Sequence, residues 1–413
     1  MSVTQTAVPG RPVTVGVDWA KDNHAVCVVD PDGEAVQRLV IAHTKAGIGR
    51  LLTVLERYQV LGVGIERPDG PLVAALLAAG MELFVIPPSQ VKSLRRRYGS
   101  AGNKDDRFDA YVLADTVRTD RRRLTPLRPD GSATVTMRAL VRARADLVKH
   151  RVALGNQLRA HLDTVLPGAV GLFCELDSPI SRAFLAAYPT QDAVNALTLD
   201  TFTVWLAGQR YRQRKPAVLL RHLTGAPAGV TGPAGAALAA VTAAYLTALT
   251  ALLEQITVLE QQITDALATH PDGRIFTSLP RAGTVRAARL LAEIGDARGR
   301  YPTPAALAGL AGVTPSTRES GQVRVVAFRW AVDKQLRGAV CDFAADTVRA
   351  NPWAADLYAK ARARGHRHPH AVRILARAWL GVIWKLWTTA TPYDPARHGA
   401  LQTLLNQDQT EAA

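Results

Sequence analysis

A chain of 413 residues, 48% hydrophobic and only 6% aromatic, has material for two or three domains, each with its own core. Its formal net charge of +15 favours a polyanionic partner and is unusual for an enzyme acting on small metabolites. No basic-then-apolar leader is expected from the polar, Pro- and Gly-bearing first residues, and the most apolar helical run, "LARAWLGVIW", is too short to span a bilayer, so the expectation is a cytoplasmic protein that engages no membrane. Cys27, Cys174 and Cys341 are far apart, none at metal-ligand spacing, and read as reduced, buried small residues.

Three short β-prone runs open the chain, at 13–17, 25–29 and 36–41, with "DPDG" as a tight turn between the second and third. A helix is predicted over 45–59, with Ile48, Leu51, Leu52 and Leu55 on one face. A strand at 61–66, a helix at 72–79 and a strand at 82–86, stopped by Pro87 and Pro88, follow. Three meandering strands and then alternating helix and strand describe an α/β, RNase H-like mixed sheet over residues 1–130, with its strands ending in acidic residues at one edge.

Beyond the linker "PLRPDGSA" the pattern changes to long helices at 134–166 and 236–267. In the second, Tyr245, Leu249, Leu252, Ile256, Leu259 and Ile263 alternate in steps of four and three. That is a coiled-coil-like seam, suited to an antiparallel hairpin or to a dimer contact. These helices define a segment over 131–270, with a helical insertion at about 167–233 that contains "RYRQRK" and carries no evident function. Residues 271–400 open with "FTSLPRAGTVRAARLLAEIGD", the outline of a helix-hairpin-helix whose turn, Pro280-Arg281-Ala282-Gly283, would grip a phosphate backbone beside Arg281. A loop over 311–324 and further helices to about 389 follow, and 401–413 is a tail.

Between Lys92 and Arg151 sixteen Lys and Arg stand against seven Asp. "LRRRYG" and "DRRRL" are the dense patches, and Arg95, Arg96, Arg97 and Lys104 are candidate nucleic-acid contacts. The plainer alternative is a solvated helical face.

The acidic residues carry the chemistry. Asp18 ends the first strand, Glu66 ends the fourth, and Asp106 and Asp109 share a helix face through their i, i+3 spacing. A single acidic residue after a strand is usually a turn residue. Three separate stretches at sheet-edge positions point instead to one convergent site. Four carboxylates together repel unless cations neutralise them, and two Mg²⁺ ions, about 3.5–4 Å apart, suit that arrangement and phosphodiester chemistry. Asp105 competes with Asp106 for the ligand role, although a helix-start role fits it as well.

The stretches "VGVDWAKDNHAVCVVDPDG", "GIERPDGPL" and "NKDDRFDAYVLAD" resemble the DEDD transposases of bacterial insertion sequences, the insertion-sequence 110 family. "SLPRAGTVRAARLLAEIGD", "PAALAGLAGVTP" and "RESG" resemble that family's C-terminal transposase domain, so the likeness covers nearly the whole chain. It implies a RuvC-like N-terminal domain with a metal-binding tetrad at Asp18, Glu66, Asp106 and Asp109, followed by an α-helical transposase domain. It also implies a serine nucleophile at Ser320, flanked by Arg318 and Arg324 as phosphate contacts. The family's partners would be donor and target DNA, a guide (bridge) RNA encoded by the element, and further copies of the chain in a dimer or tetramer, associated with the nucleoid when active. Arg67-Pro68 departs from the small residues that commonly follow the glutamate in this family, and the 167–233 insertion is longer than in compact members.

From the residues alone, a Ser-Gly pair in a loop is a turn. "GHRHPH" is read as a basic loop before a helix rather than a zinc site, and Trp379, Ile383, Trp384 and Trp387 as a core stripe. Arg329, Lys334 and Arg337 suit either phosphate or solvent. The reading is therefore a Mg²⁺-dependent transposase or recombinase that works through a phosphoserine link. Its rivals are a junction-resolving nuclease with no covalent intermediate, an actin-like kinase, for which a second phosphate turn and an adenosine loop are missing, and a non-catalytic nucleic-acid-binding protein.

Overall fold

The computed structural model describes residues 12–98, 105–320, 323–328 and 332–412; the side chains of 316–318, 320, 323–328 and 408–412 fall outside that description. The chain divides into two compact units, 1–129 and 130–413.

The first unit is built on a five-stranded mixed sheet in the order β3-β2-β1-β4-β5. Its strands are β1 (Pro12–Asp18), β2 (Asn23–Val29), β3 (Ala35–Ala42), β4 (Gln59–Ile65) and β5 (Leu83–Val85). β1, β2 and β3 pair antiparallel as the expected meander, while β1 with β4 and β4 with β5 run parallel. The central strands are apolar on both sides because both faces are covered. On one face Val13, Val15, Val17, Val63 and Ile65 pack with Leu51 and Leu55 of α1 (Lys45–Leu55) and Leu72 and Leu76 of α2 (Pro71–Ala78). α1 is shorter than its periodicity suggested, because β4 begins at Gln59 to pair with Pro12. Pro88, expected only to stop a strand, stands in the first turn of α3 (Pro88–Arg95), where its missing N–H costs nothing. The other face of the sheet is covered by α4 (Asp106–Asp120).

The second unit is almost wholly helical. α5 (Ser132–Val165) and α10 (Gly232–Thr269) are its two long helices. They lie antiparallel within the chain: Thr134 meets His270, Arg144 meets Glu260 and His161 meets Thr242. One partner helix covers one stripe, so Thr242, Leu249, Ile256 and Ile263 are buried, while Tyr245, Leu252 and Leu259 are only partly so. α10 is also long and apolar enough to cross a bilayer by length and hydropathy, and 11% of its most apolar window is buried within the fold.

At one end of this hairpin α6 (Pro179–Ala187), α7 (Gln191–Asn195), α8 (Leu199–Gly208) and α9 (Pro216–Gly225) close a small core with Leu158, Leu162, Leu246 and Leu249. At the other end Met137, Val141, Ile263 and Leu267 join a larger core. That core is built from α11 (Gly273–Thr277), α12 (Gly283–Ile294), α13 (Pro304–Leu310), α14 (Lys334–Thr347), α15 (Pro352–Ala363) and α16 (His368–Thr389). Trp379, Ile383 and Trp387 are fully buried in it and Trp384 partly, as the stripe predicted. The 311–324 segment is not a plain loop. β6 (Pro315–Ser320) and β7 (Val323–Phe328) pair antiparallel, as the β-branched run "VRVV" favours. α17 (Gly399–Ala412) closes the chain.

Candidate active site

Asp18 is the last residue of the central strand and is 9% exposed. The last parallel pair between β1 and β4 is Val17 with Ile65, so Asp18 and Glu66 stand one step beyond it on neighbouring strands. α4 supplies the other two carboxylates. Asp105 is its N-cap, accepting the backbone N–H of Arg107 at 3.0 Å, and Asp106 and Asp109 lie in its first turn. Asp105 therefore takes the helix-start role.

Two glycines bring α4 onto the sheet. A Cβ on Gly16 would sit 1.9 Å from the Ala110 carbonyl oxygen, and one on Gly64 would sit 2.7 Å from that of Leu113. In a strand, residues two apart share a face. Gly16 and Asp18 share one, as do Gly64 and Glu66, so the faces that admit the helix also present the carboxylates to its first turn. The outcome is a cluster in which Asp18, Asp106 and Asp109 each offer an oxygen within 4.8 Å of the others. Glu66 is half-buried beside it and is not part of that group.

An all-oxygen set of carboxylates fits a hard divalent cation such as Mg²⁺. Asp109 is 2% exposed and is gripped by the Arg95 guanidinium, whose Nε and Nη2 donate to its two oxygens. Arg95, expected on nucleic acid, is thus engaged inside the protein. Across the strand ends, the Arg67 guanidinium lies 4.4 Å from the Trp19 ring and pairs with Asp69 at 3.2 Å. The segment after Asp18 is tied down by histidines. Ala20 N–H donates to Nδ1 of the fully buried His24 at 3.3 Å, which leaves Nε2 of His24 to donate to His43 Nδ1 at 2.8 Å. Burial, and then the neighbouring His43, lower the His24 pKa and keep it neutral.

The remaining candidates fall in different surroundings. Arg96 is exposed, Arg97 donates to Thr119 Oγ1 at 3.3 Å, and Lys104 lies outside the described residues. Arg281 takes a positive φ of 61° and pairs with Asp346 at 3.1 Å, in the turn between α11 and α12. Ser320 is the last residue of β6, opposite Val323, and Glu319 is opposite Arg324. The side chains of Ser320, Arg318 and Arg324 lie outside the description, as does Arg329. His366 and His370 stack at 4.2 Å, but the acidic cluster is the one metal-competent group of three or more among the described residues. Sequence reasoning missed Gly16, Gly64, the Arg95 grip and the His24–His43 pair. The glycines had a signal in the paired "VGVD" and "VGIE", each glycine two residues before its acid.

Residues 15–167 match a family model for DEDD transposases of the IS110 type, described as "Transposase", and residues 273–359 match one described as "Transposase IS116/IS110/IS902 family". The IS117 mini-circle protein of Streptomyces coelicolor is 32% identical over 401 residues, covering 93% of this chain and 96% of its own length. The chain belongs to the IS110/IS116/IS902 family of transposases. Among other relatives, the 42 kDa protein of insertion element IS900 from Mycobacterium paratuberculosis is 29% identical, with 94% of this chain and 98% of the relative covered. The 44.8 kDa protein of IS116 from Streptomyces clavuligerus is also 29% identical, with 93% and 96% covered. An acidic site on a mixed sheet, joined to a basic helical unit, suits a transposase, an enzyme whose substrate is DNA.

Proposed function

We propose that this transposase cuts and exchanges DNA strands in an RNase H-like first domain that uses Asp18, Glu66, Asp106 and Asp109, with Ser320 as the nucleophile. The observation that carries this reading is the convergence of Asp18, Asp106 and Asp109 from a strand end and a helix start. Those residues, with Glu66, would hold one or two Mg²⁺, which when bound supply electrostatic stabilisation of charge on the phosphate. The chain's own contribution is position: the paired strands fix Asp18 and Glu66, and the packed helix fixes Asp106 and Asp109. The Ser320 oxygen forms a bond to phosphorus while one P–O bond of the strand breaks. The departing strand end leaves as a hydroxyl, taking in net balance the proton that the serine loses. Strand exchange reverses this step with a new strand end. The domains follow as 1–130 for the acidic site, 131–270 for the hairpin and insertion, and 271–400 for the serine.

Guidance by an RNA of the element and assembly into a dimer or tetramer belong to the same reading, supported by family membership and by the high net positive charge. Base pairing would then choose the sequence and leave shape and backbone to the protein.

The test is a covalent adduct. Wild-type protein with end-labelled DNA and Mg²⁺ should give a protein–DNA band that survives denaturant and disappears with protease. Ser320→Ala should bind DNA and form no such band, while Ser316→Ala should keep it. Nicking by Ser320→Ala, with no adduct in any variant, would establish the hydrolytic nuclease instead.

A further inference from the structure

The helical insertion carries a second charged surface that the reaction does not use. α8 ends at Gly208, α9 begins at Pro216, and between them Arg210, Arg212, Arg214 and Lys215 are all exposed. None of these four side chains is in an ion pair or hydrogen bond among the described residues. The loop is nevertheless fixed. Tyr211 N–H bonds to the Leu206 carbonyl at 3.0 Å, and its ring meets Phe173 edge-on at 5.2 Å in the insertion's core. Arg210 adopts φ 55°, a left-handed position after a helix that glycine would occupy with less strain. A cation is thus kept where the backbone favours a residue without a side chain.

We infer that this loop grips the phosphate backbone of duplex DNA at a surface separate in sequence from every residue assigned to the reaction. The inference rests on DNA as the substrate of the family and on no particular catalytic chemistry. A rigid loop with four unneutralised cations matches a polymer that presents one negative charge per about 1.7 Å of its axis. Its position within the second unit gives it reach. From the larger core at Val141 to the insertion core at Leu162 the α5 axis covers about 30 Å, at about 1.5 Å per residue, or roughly nine base pairs at about 3.4 Å each. A backbone contact at that distance from the larger core would carry no sequence information, but it would hold the duplex in register.

The experiment is a salt titration of full-length protein with a 40-base-pair duplex of arbitrary sequence, at roughly 50 to 200 mM salt. Neutralising three cations, as Arg212→Gln with Arg214→Gln and Lys215→Gln, should lower affinity at least tenfold at low salt. It should also reduce the log–log slope by about 2 to 3, at about 0.9 per phosphate contact. The charge-keeping set Arg212→Lys, Arg214→Lys and Lys215→Arg should bind like wild type. Arg210→Gly separates binding from folding: it should unfold no more readily than wild type, yet lose about 0.9 of slope. An unchanged duplex affinity and slope in the triple variant would overturn the inference and leave a solvated loop. So would a loss confined to a structured RNA run in parallel, which would make the loop an RNA contact.

Discussion

Two basic regions of this chain look alike in sequence and differ in space. The first runs from Lys92 to Arg151 with sixteen cations. Among the described residues at least nine of them are in ion pairs: Arg95, Arg118, Arg121, Arg123, Arg138, Arg142, Arg144, Lys149 and Arg151. The second is the insertion loop, whose four cations have no such partner among the described residues. The denser run is therefore partly a framework, with Arg forks holding carboxylates of other segments, whereas the shorter one is available surface. Charge density along a sequence does not measure the field it presents, because carboxylates within the run and others from elsewhere in the fold both cancel part of it. Glu293 reaches Arg142 and Glu260 reaches Arg144 across more than a hundred residues of chain.

The largest expected effect lies where the framework meets the acidic site. Asp109→Asn removes both a proposed metal ligand and the partner of Arg95. Cleavage in Mg²⁺ should fall by more than about 100-fold, the scale of losing one electrostatic stabiliser of the transition state. Duplex binding should persist or tighten, because Arg95 is released toward solvent. Cleavage by Asp109→Asn at the wild-type rate would remove it from the site, and weakened binding would mean the Arg95 pair matters only for folding.

Next comes Asp130, a deeply enclosed carboxylate of the second unit. Its side chain is 2% exposed and accepts from Arg138, from Arg300 Nη1 at 3.0 Å, and from the backbone N–H of Asp296 at 3.0 Å and of Ala297 at 3.3 Å. Burial works against its ionisation, but the Arg138 and Arg300 hydrogen bonds outweigh it and hold its pKa below the ordinary 3.8. Asp130→Ala leaves two arginines without their anion and should cost about 3–5 kcal/mol in denaturant unfolding. The sign of the pH dependence follows. A carboxyl with a depressed folded pKa adds stability fully above its unfolded value and loses it as pH falls through the folded one. Asp130→Asn should therefore flatten the acid limb below about pH 4 relative to wild type. An unchanged acid limb would place that limb's titration on other groups.

How much of this was legible depends on where the determining contact sits in the chain. The sheet's strands, the meander and the Asp18 strand end follow from local alternation and turn residues, and the long helices from periodicity. Asp105 as a cap was also readable, since an acid just before a helix start has that ordinary use. The Arg95–Asp109 grip was not, because nothing local distinguishes Arg95 from Arg96 or Arg97. The β6–β7 pairing was hidden in a segment that reads as a loop until Val323–Phe328 is set against Pro315–Ser320. The seam of α10 was half right for the same reason: a heptad predicts which stripe can be buried, but the number of partner helices decides how wide it is.

The smallest effect gives the sharpest control on the comparison. Arg144 Nε and Nη2 both donate to Glu260 Oε1, at 2.8 and 2.6 Å, joining the two long helices. Unlike Asp130, both partners are partly open to water, with side chains 25% and 39% exposed. Solvent screens such a pair, and its chain entropy offsets much of the attraction, so a coupling of about 0.2–1 kcal/mol is expected. A double-mutant cycle with Arg144→Gln and Glu260→Gln, followed by urea unfolding, measures it directly. A coupling within that range leaves burial as the reason why some pairs in the Lys92–Arg151 run act as framework and others are incidental. A coupling above about 2 kcal/mol would mean that half-exposed pairs also lock the hairpin. The run would then have to be read as framework throughout, with the insertion loop the more isolated exception.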